Sequence, residues 1–516
     1  MKSNRLKNAM LNSSILATIQ IVTVLLRFAN QTIFIRVLGK QFLGLNGLFT
    51  NVLSFLAFAE LGVGTSIVFS LYSPLANDNK KNIAALMNFI QKAYRYIGMT
   101  VGILGLATIP LLPYFIKDYH DVDHIVLYYV LYLANSVISY FFTYKRSILI
   151  ADQHEYISSI NQFIFLVVQT ILQIIFMFVV PNYAVYLIIA VFCTLFSNIL
   201  ISRAVDKRYP YLKMYQEERI TSAEGLTIRN NVVGMVGSKI GSIVVRSTDN
   251  ILLSAFLGLS IVGIYSNYLL IVTSVSGVIN KLLSSVTASV GNLIVAGDRD
   301  RSFFVYKTHY LLNLFIVTIS AVCFAVSFNP FIKVWAGKSY LLPISVVIVI
   351  VINYFIDQLR QTNITFTSAY GLFVPNGKKS VLEAILNLSF SYTLLVFLKL
   401  GISGVLLGTI ITNIILNSWW EPWLIYKRGF KFQSSFIRFY FVFYLKHTIL
   451  LFLLGSFTYV VILWLDNYIY INGFLLAIVN SSLSVLILSS LISLIYRKHA
   501  SFIYITNVIK KLLRVK

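Results

Sequence analysis

Guanidinium groups at Arg27 and Arg246 stand inside apolar runs, at matching places in an internal repeat. The pattern Asn12…Arg27…Leu38-Gly39…Gly44 returns as Asn231…Arg246…Leu257-Gly258…Gly263, displaced throughout by 219 positions. An arginine in hydrocarbon costs at least ~2.5 kcal/mol on insertion scales, so intramembrane charges face a polar interior and usually serve a function. Arginine also stays charged and presents a fork of donors that matches phosphate oxygens. Two equivalent cations therefore suggest a cavity built for something negatively charged.

The neighbours of these arginines fall into stripes. Helical spacing groups Gln20, Thr23, Arg27, Asn30 and Gln31 on one face of the first segment, and Lys239, Ser242, Arg246, Asp249 and Asn250 on the corresponding segment. Lys239 joins the candidate cavity cations, and Asn30, Gln31 and Asn250 the supporting polar groups. Arg246 and Asp249 are three apart, so a local ion pair is the alternative. Glu60 is either a partner for Arg27 across helices or a titrating carboxylate coupled to H+ or Na+ flow. Asp357 and Arg360, also three apart, either pair with one another or place Arg360 among the cavity cations with Asp357 holding it. Lys281 is a weaker candidate, because its ammonium can snorkel to an interface. Lys145 and Arg146 end a segment where inner-side anchoring is the plain explanation.

Other chemistries lack their residues. His120 and His124 share a short loop with Asp118, Asp121 and Asp123, which reads as a solvated acidic loop and not a metal site. No phosphate-binding loop, GxSxG, zinc motif or glycine-rich nucleotide signature occurs in its required context, so no cofactor and no enzyme are expected. Cys193 and Cys323 lie in apolar segments and read as core residues.

The elements that carry these residues follow from composition. Hydrophobic residues make up 58% of the chain, charged residues 12%, and mean hydropathy is +0.80. Such a chain is an all-α polytopic membrane protein. Apolar runs place fourteen helices near 11–35, 43–72, 89–113, 122–146, 157–180, 183–202, 231–257, 261–290, 303–327, 340–368, 380–399, 402–424, 439–464 and 472–495. With both termini cytoplasmic, about 31 Lys and Arg lie inside and about 6 outside. The net charge of +24 is thus positive-inside anchoring and does not point to nucleic acid.

Residues 1–202 then form an N-lobe of six helices, 203–230 a cytoplasmic linker, and 231–426 a C-lobe of six. An even number of helices precedes the second lobe, so the repeats are parallel. Residues 427–496 add two helices, and 497–516 a basic amphipathic tail suited to the inner leaflet.

Four segments carry a family resemblance. AELGVGTSIVFSLYSPLA (59–76), YKRSILIADQHEY (144–156), TDNILLSAFLGLSIVGIYSNY (248–268) and TSAYGLFVP (367–375) resemble the Wzx-type polysaccharide flippases of the multidrug/oligosaccharidyl-lipid/polysaccharide exporter superfamily. The likeness extends over nearly the whole chain. It implies alternating access of a cationic cavity that moves an undecaprenyl-pyrophosphate-linked oligosaccharide from the inner to the outer leaflet of a bacterial plasma membrane. Arg27, Lys239, Arg246 and Arg360 fit such a lining. Membrane lipids surround the protein, and a polysaccharide polymerase with chain-length machinery is the implied partner set. The rivals are a flippase for lipid II or another lipid-linked glycan, and then a cation-coupled multidrug exporter, which should show more acids. Last comes a membrane polymerase or ligase, which needs a larger outer loop.

Overall fold

The computed structural model describes the chain apart from residues 1, 57–59, 61–62, 118, 223, 227, 229–244, 246, 285–297, 469–472 and 515–516. It describes the backbone alone at 2–17, 63–67, 69, 373–374, 509 and 511–514. No strand occurs among the described residues, and eleven stretches of helix are long and apolar enough to cross a membrane. The protein is an all-α polytopic membrane protein.

Three expected spans account for the difference from fourteen. The run at 43–72 is divided between helices α2 (Gly39–Leu56) and α3 (Val63–Ala76), which follow α1 (Lys2–Val37). Most of the run at 231–257 lies outside the described residues, and 247–257 is helical. The run at 380–399 begins earlier, in a helix over Phe373–Val396 whose Lys378, Lys379 and Glu383 make it less apolar than the others.

The chain divides into two compact units, Met1–Gly263 and Ile264–Lys516. In the first, α1 packs on α6 (Glu155–Val179), while α5 (Ile125–Ala151) lies against both α4 (Lys80–Ala107) and α7 (Tyr183–Arg208). Short polar side chains start these helices by satisfying amides that have no partner within the helix. Asn79 accepts from the Asn82 amide at 3.1 Å to begin α4, and Asn182 accepts from Ala184 at 2.7 Å to begin α7. Residues 209–222 and Glu224 fold back on the N-terminal end of α4. The Asn88 amide donates to the carbonyls of Tyr215, Gln216 and Glu218 at 2.9–3.1 Å, and Asn82 donates to Glu224 at 2.9 Å.

In the second unit, α8 (Leu259–Ser284), which starts just before the boundary, is followed by the long α9 (Arg299–Trp335). Helix α9 packs against α10 (Ile344–Leu359), α15 (Lys446–Asp466), α16 (Phe474–Tyr496) and α17 (Ala500–Arg514). Between α10 and α15 come α11 (Gln361–Ala369), α12 (Phe373–Val396), α13 (Gly401–Thr412) and α14 (Ser418–Leu424). Helix α12 packs closely along α13.

The repeat is visible in backbone geometry. Gly39 and Gly258, which correspond, both take positive φ, +84° and +94°, where a Cβ would be strained. Gly44 and Gly263, which also correspond, meet at a helix crossing inside the first unit. A Cβ on Gly44 would sit 2.0 Å from the Leu259 carbonyl oxygen, and one on Gly263 would sit 2.0 Å from that of Lys40. Lys40 and Leu259 are themselves repeat mates. The contacts are therefore reciprocal, as at a local twofold.

Candidate functional site

Arg27 lies within the apolar span Thr18–Val37 of α1. Protein leaves its side chain uncovered. A guanidinium in that position is open to whatever fills the space beside α1. Gln31, four residues on, is half-buried, and Asn250 is buried. Asp249 is half-buried, whereas Lys239 and Arg246 lie outside the described residues. Glu60 accepts from the Tyr94 hydroxyl at 3.3 Å, with Tyr140 beside it. Lys281 is exposed near the end of α8.

Asn30 belongs to a polar chamber inside the first unit. Its amide donates to Gln173 Oε1 at 2.9 Å and to the Tyr186 hydroxyl at 3.4 Å. Gln173 in turn donates to the Tyr186 carbonyl at 3.0 Å. With Tyr132, Asn135 and Gln169, Gln173 and Tyr186 line a cavity of about 150 Å³. Gln169 also borders a second cavity of about 200 Å³ beside Arg146, Ser197 and Asn198. Arg146 donates to Asn198 Oδ1 at 2.8 Å, so this cation does more than anchor a helix end. The Oδ1 atoms of Asn30 and Asn135, the Nε of Arg146 and the Nδ2 of Asn198 are buried without a protein partner. Buried polar atoms require partners, and these cavities are polar and roomy enough to supply them as water.

Arg360 sits in the second unit, where the chain passes from α10 to α11. Its guanidinium bonds Glu383 at 2.9 Å, Glu421 at 2.7 Å and Asn413 at 2.9 Å. Lys379 joins the same carboxylates at 2.9 Å each and reaches Asn417 at 2.8 Å. Asn417 closes the set by donating to Glu383 at 2.7 Å. The side chains of Lys379, Glu383 and Glu421 are at most 4% exposed, and that of Arg360 is 15% exposed. Two cations and two carboxylates thus balance inside the protein. Asp357, the expected partner, lies farther off at 3.8 Å with its side chain half exposed. Wider helical turns at Asn413–Asn417 and Ile425–Gly429 bracket Glu421, the kind of irregularity that recurs at functional positions.

Arg27, Asn30 and Arg360 stand out in the sequence, but the residues packed around them do not. Gln162, Gln169 and Gln173 recur at seven- and four-residue steps along α6 and were legible as a polar stripe. Lys379 falls just before the apolar run expected at 380–399, and nothing local to Glu383 or Glu421 ties either to Arg360. Only packing joins segments 23 and 61 residues apart.

No family model matches the chain, and no curated protein matches it by sequence. Solved structures do. An inward-closed structure of the lipid II flippase MurJ superposes with a TM-score of 0.63 at 19% identity, over 93% of this chain and 98% of that one. An inward-facing multidrug resistance MATE family transporter of the MOP superfamily gives 0.60 at 16% identity, over 81% and 100%. An outward-facing transporter of the same description gives 0.51 at 17% identity, over 77% and 90%. At these identities the likeness is one of fold.

Proposed function

We propose that this chain is a flippase that carries an undecaprenyl-pyrophosphate-linked oligosaccharide across a bacterial plasma membrane for surface polysaccharide synthesis. The observation that carries the reading is Arg27, an uncovered guanidinium within an apolar span, with a repeat-related arginine at 246. A diphosphate offers about two negative charges, and charge-assisted hydrogen bonds from two arginines each contribute on the order of 1.5–3 kcal/mol. The head group occupies a cationic cavity lined by the segments that carry Arg27 and Arg246, and the polyprenyl tail stays in the bilayer. Access alternates between the two leaflets, with Lys239, Asn30, Gln31 and Asn250 supporting the head group. Cytoplasmic placement of both termini is the orientation that the charge asymmetry supports. Transport draws on no nucleotide, and Glu60, held by Tyr94, is the carboxylate available for ion coupling.

A lipid II flippase is the second reading, favoured by the fold likeness to MurJ across 93% of the chain. Leaflet-resolved analysis of lipid-linked glycans in depleted cells separates the two. Complete repeat units confined to the inner leaflet support the proposal, and lipid II confined there supports the second reading. Repeat units reaching the outer leaflet unpolymerised overturn both in favour of a polymerase or ligase.

A further inference from the structure

Toward the ends of three of its spans, the first unit holds a polar cavity of about 330 Å³ where α4, α5, α7 and residues 212–216 meet. Lys92, Lys145 and Lys213 line it together with Asp206, Asn88 and Gln216. Lys145 and Lys213 both pair with Asp206, the second at 3.4 Å, so two ammonium groups share one carboxylate. Lys92 adds a third. One carboxylate cannot neutralise three ammonium groups, and the cavity keeps a surplus of positive charge. Asn88, bonded to the carbonyls of Tyr215, Gln216 and Glu218, fixes the segment that carries Lys213. The site is therefore built, with its cations converging from three separate parts of the chain.

The surface above this cavity tells which anion it suits. Lys92 heads a stripe of α4 that continues through Tyr96, Met99 and Ile103, at steps of four, three and four. These three are 69%, 42% and 67% exposed. An uncovered apolar stripe on a membrane helix faces acyl chains. The same stripe ends on Lys92, at the end of the unit that the charge asymmetry assigns to the cytoplasm. A lipid lying along Tyr96, Met99 and Ile103 puts its phosphate at the mouth of the cavity.

We propose that Lys92, Lys145 and Lys213 form a site for the phosphate of an anionic phospholipid of the inner leaflet. Because Lys213 belongs to the segment between α7 and residue 228, an occupied site also pins that segment to α4. Basic pockets at the cytoplasmic side bind anionic head groups through this chemistry, at about fivefold in affinity per lysine.

The test is native mass spectrometry of the full chain in detergent, titrated with phosphatidylglycerol or phosphatidylcholine. The parent should bind phosphatidylglycerol selectively, and Lys92→Gln with Lys213→Gln should weaken that binding by about 25-fold. Lys92→Arg with Lys213→Arg keeps the charges and should bind as the parent does, which separates loss of the site from loss of the fold. Equal retention of phosphatidylglycerol by the parent and the double glutamine variant overturns the proposal. So does millimolar inorganic phosphate that displaces phosphatidylglycerol completely, since the site would then be one for free phosphate.

Discussion

Arg27 and Arg360 are the same side chain under opposite conditions, and their substitutions should separate accordingly. Arg360 is held by Glu383, Glu421 and Asn413, and its removal leaves two buried carboxylates sharing only Lys379. Breaking a buried ion pair from one side is far more damaging than never having made it, at about 3–5 kcal/mol. Arg360→Ala should therefore lower thermal stability sharply. Arg360→Lys should recover only part, because one ammonium cannot fork to two carboxylates. Arg27 stands uncovered in an apolar span, where its charge carries a burial cost. Arg27→Ala should leave thermal stability unchanged or raise it. Melting curves of the detergent-solubilised variants check this, and equal losses at both positions would contradict the assignment. Half of this contrast was legible in the sequence. A lone arginine in an apolar run declares itself, whereas the Arg360 network is assembled from three separate stretches of the chain that only tertiary packing brings together.

Elements were legible where hydrophobicity alone decides them. An apolar run of about twenty residues has one stable answer in a bilayer, a helix with its backbone hydrogen bonds satisfied internally. Boundaries were not so easily read. Lys379 looks like loop chemistry in isolation, but buried carboxylates at Glu383 and Glu421 draw it into α12. The repeated glycines carried a signal of a different kind. Gly39 and Gly258 mark where backbone turns, and Gly44 and Gly263 mark where two helices approach with no room for a Cβ. Gly44→Ala or Gly263→Ala must push carbonyl oxygens away from 2.0 Å, with an expected cost of about 1–3 kcal/mol each from overpacking. Both substitutions part the same pair of helices, so the first relieves much of the clash of the second. The double variant should accordingly cost clearly less than the sum, a coupling of at least about 0.5 kcal/mol. Thermal unfolding of the two singles and the double measures it, and strict additivity would show that the two contacts do not belong to one crossing.

At the scale of the whole molecule, charge placement bears on both insertion and the proposed transport, and a variant can tell the two apart. The proposed orientation rests on an excess of Lys and Arg counted over many loops, so the loss of one or two intramembrane arginines should leave it untouched. Insertion of Arg27→Ala and Arg246→Ala should be as good as that of the parent or better, since each removes a charge from an apolar span. Head-group affinity should move the other way. Each arginine supplies on the order of 1.5–3 kcal/mol toward a diphosphate, so each single variant should weaken binding by about ten- to hundredfold. Surface polysaccharide should fall while the amount of protein in the membrane holds steady. A defect in folding would lower both together, which is why the two are measured in the same cells. Normal export by the double variant, at normal abundance, would remove the cationic cavity from the proposal and leave the fold without its cargo.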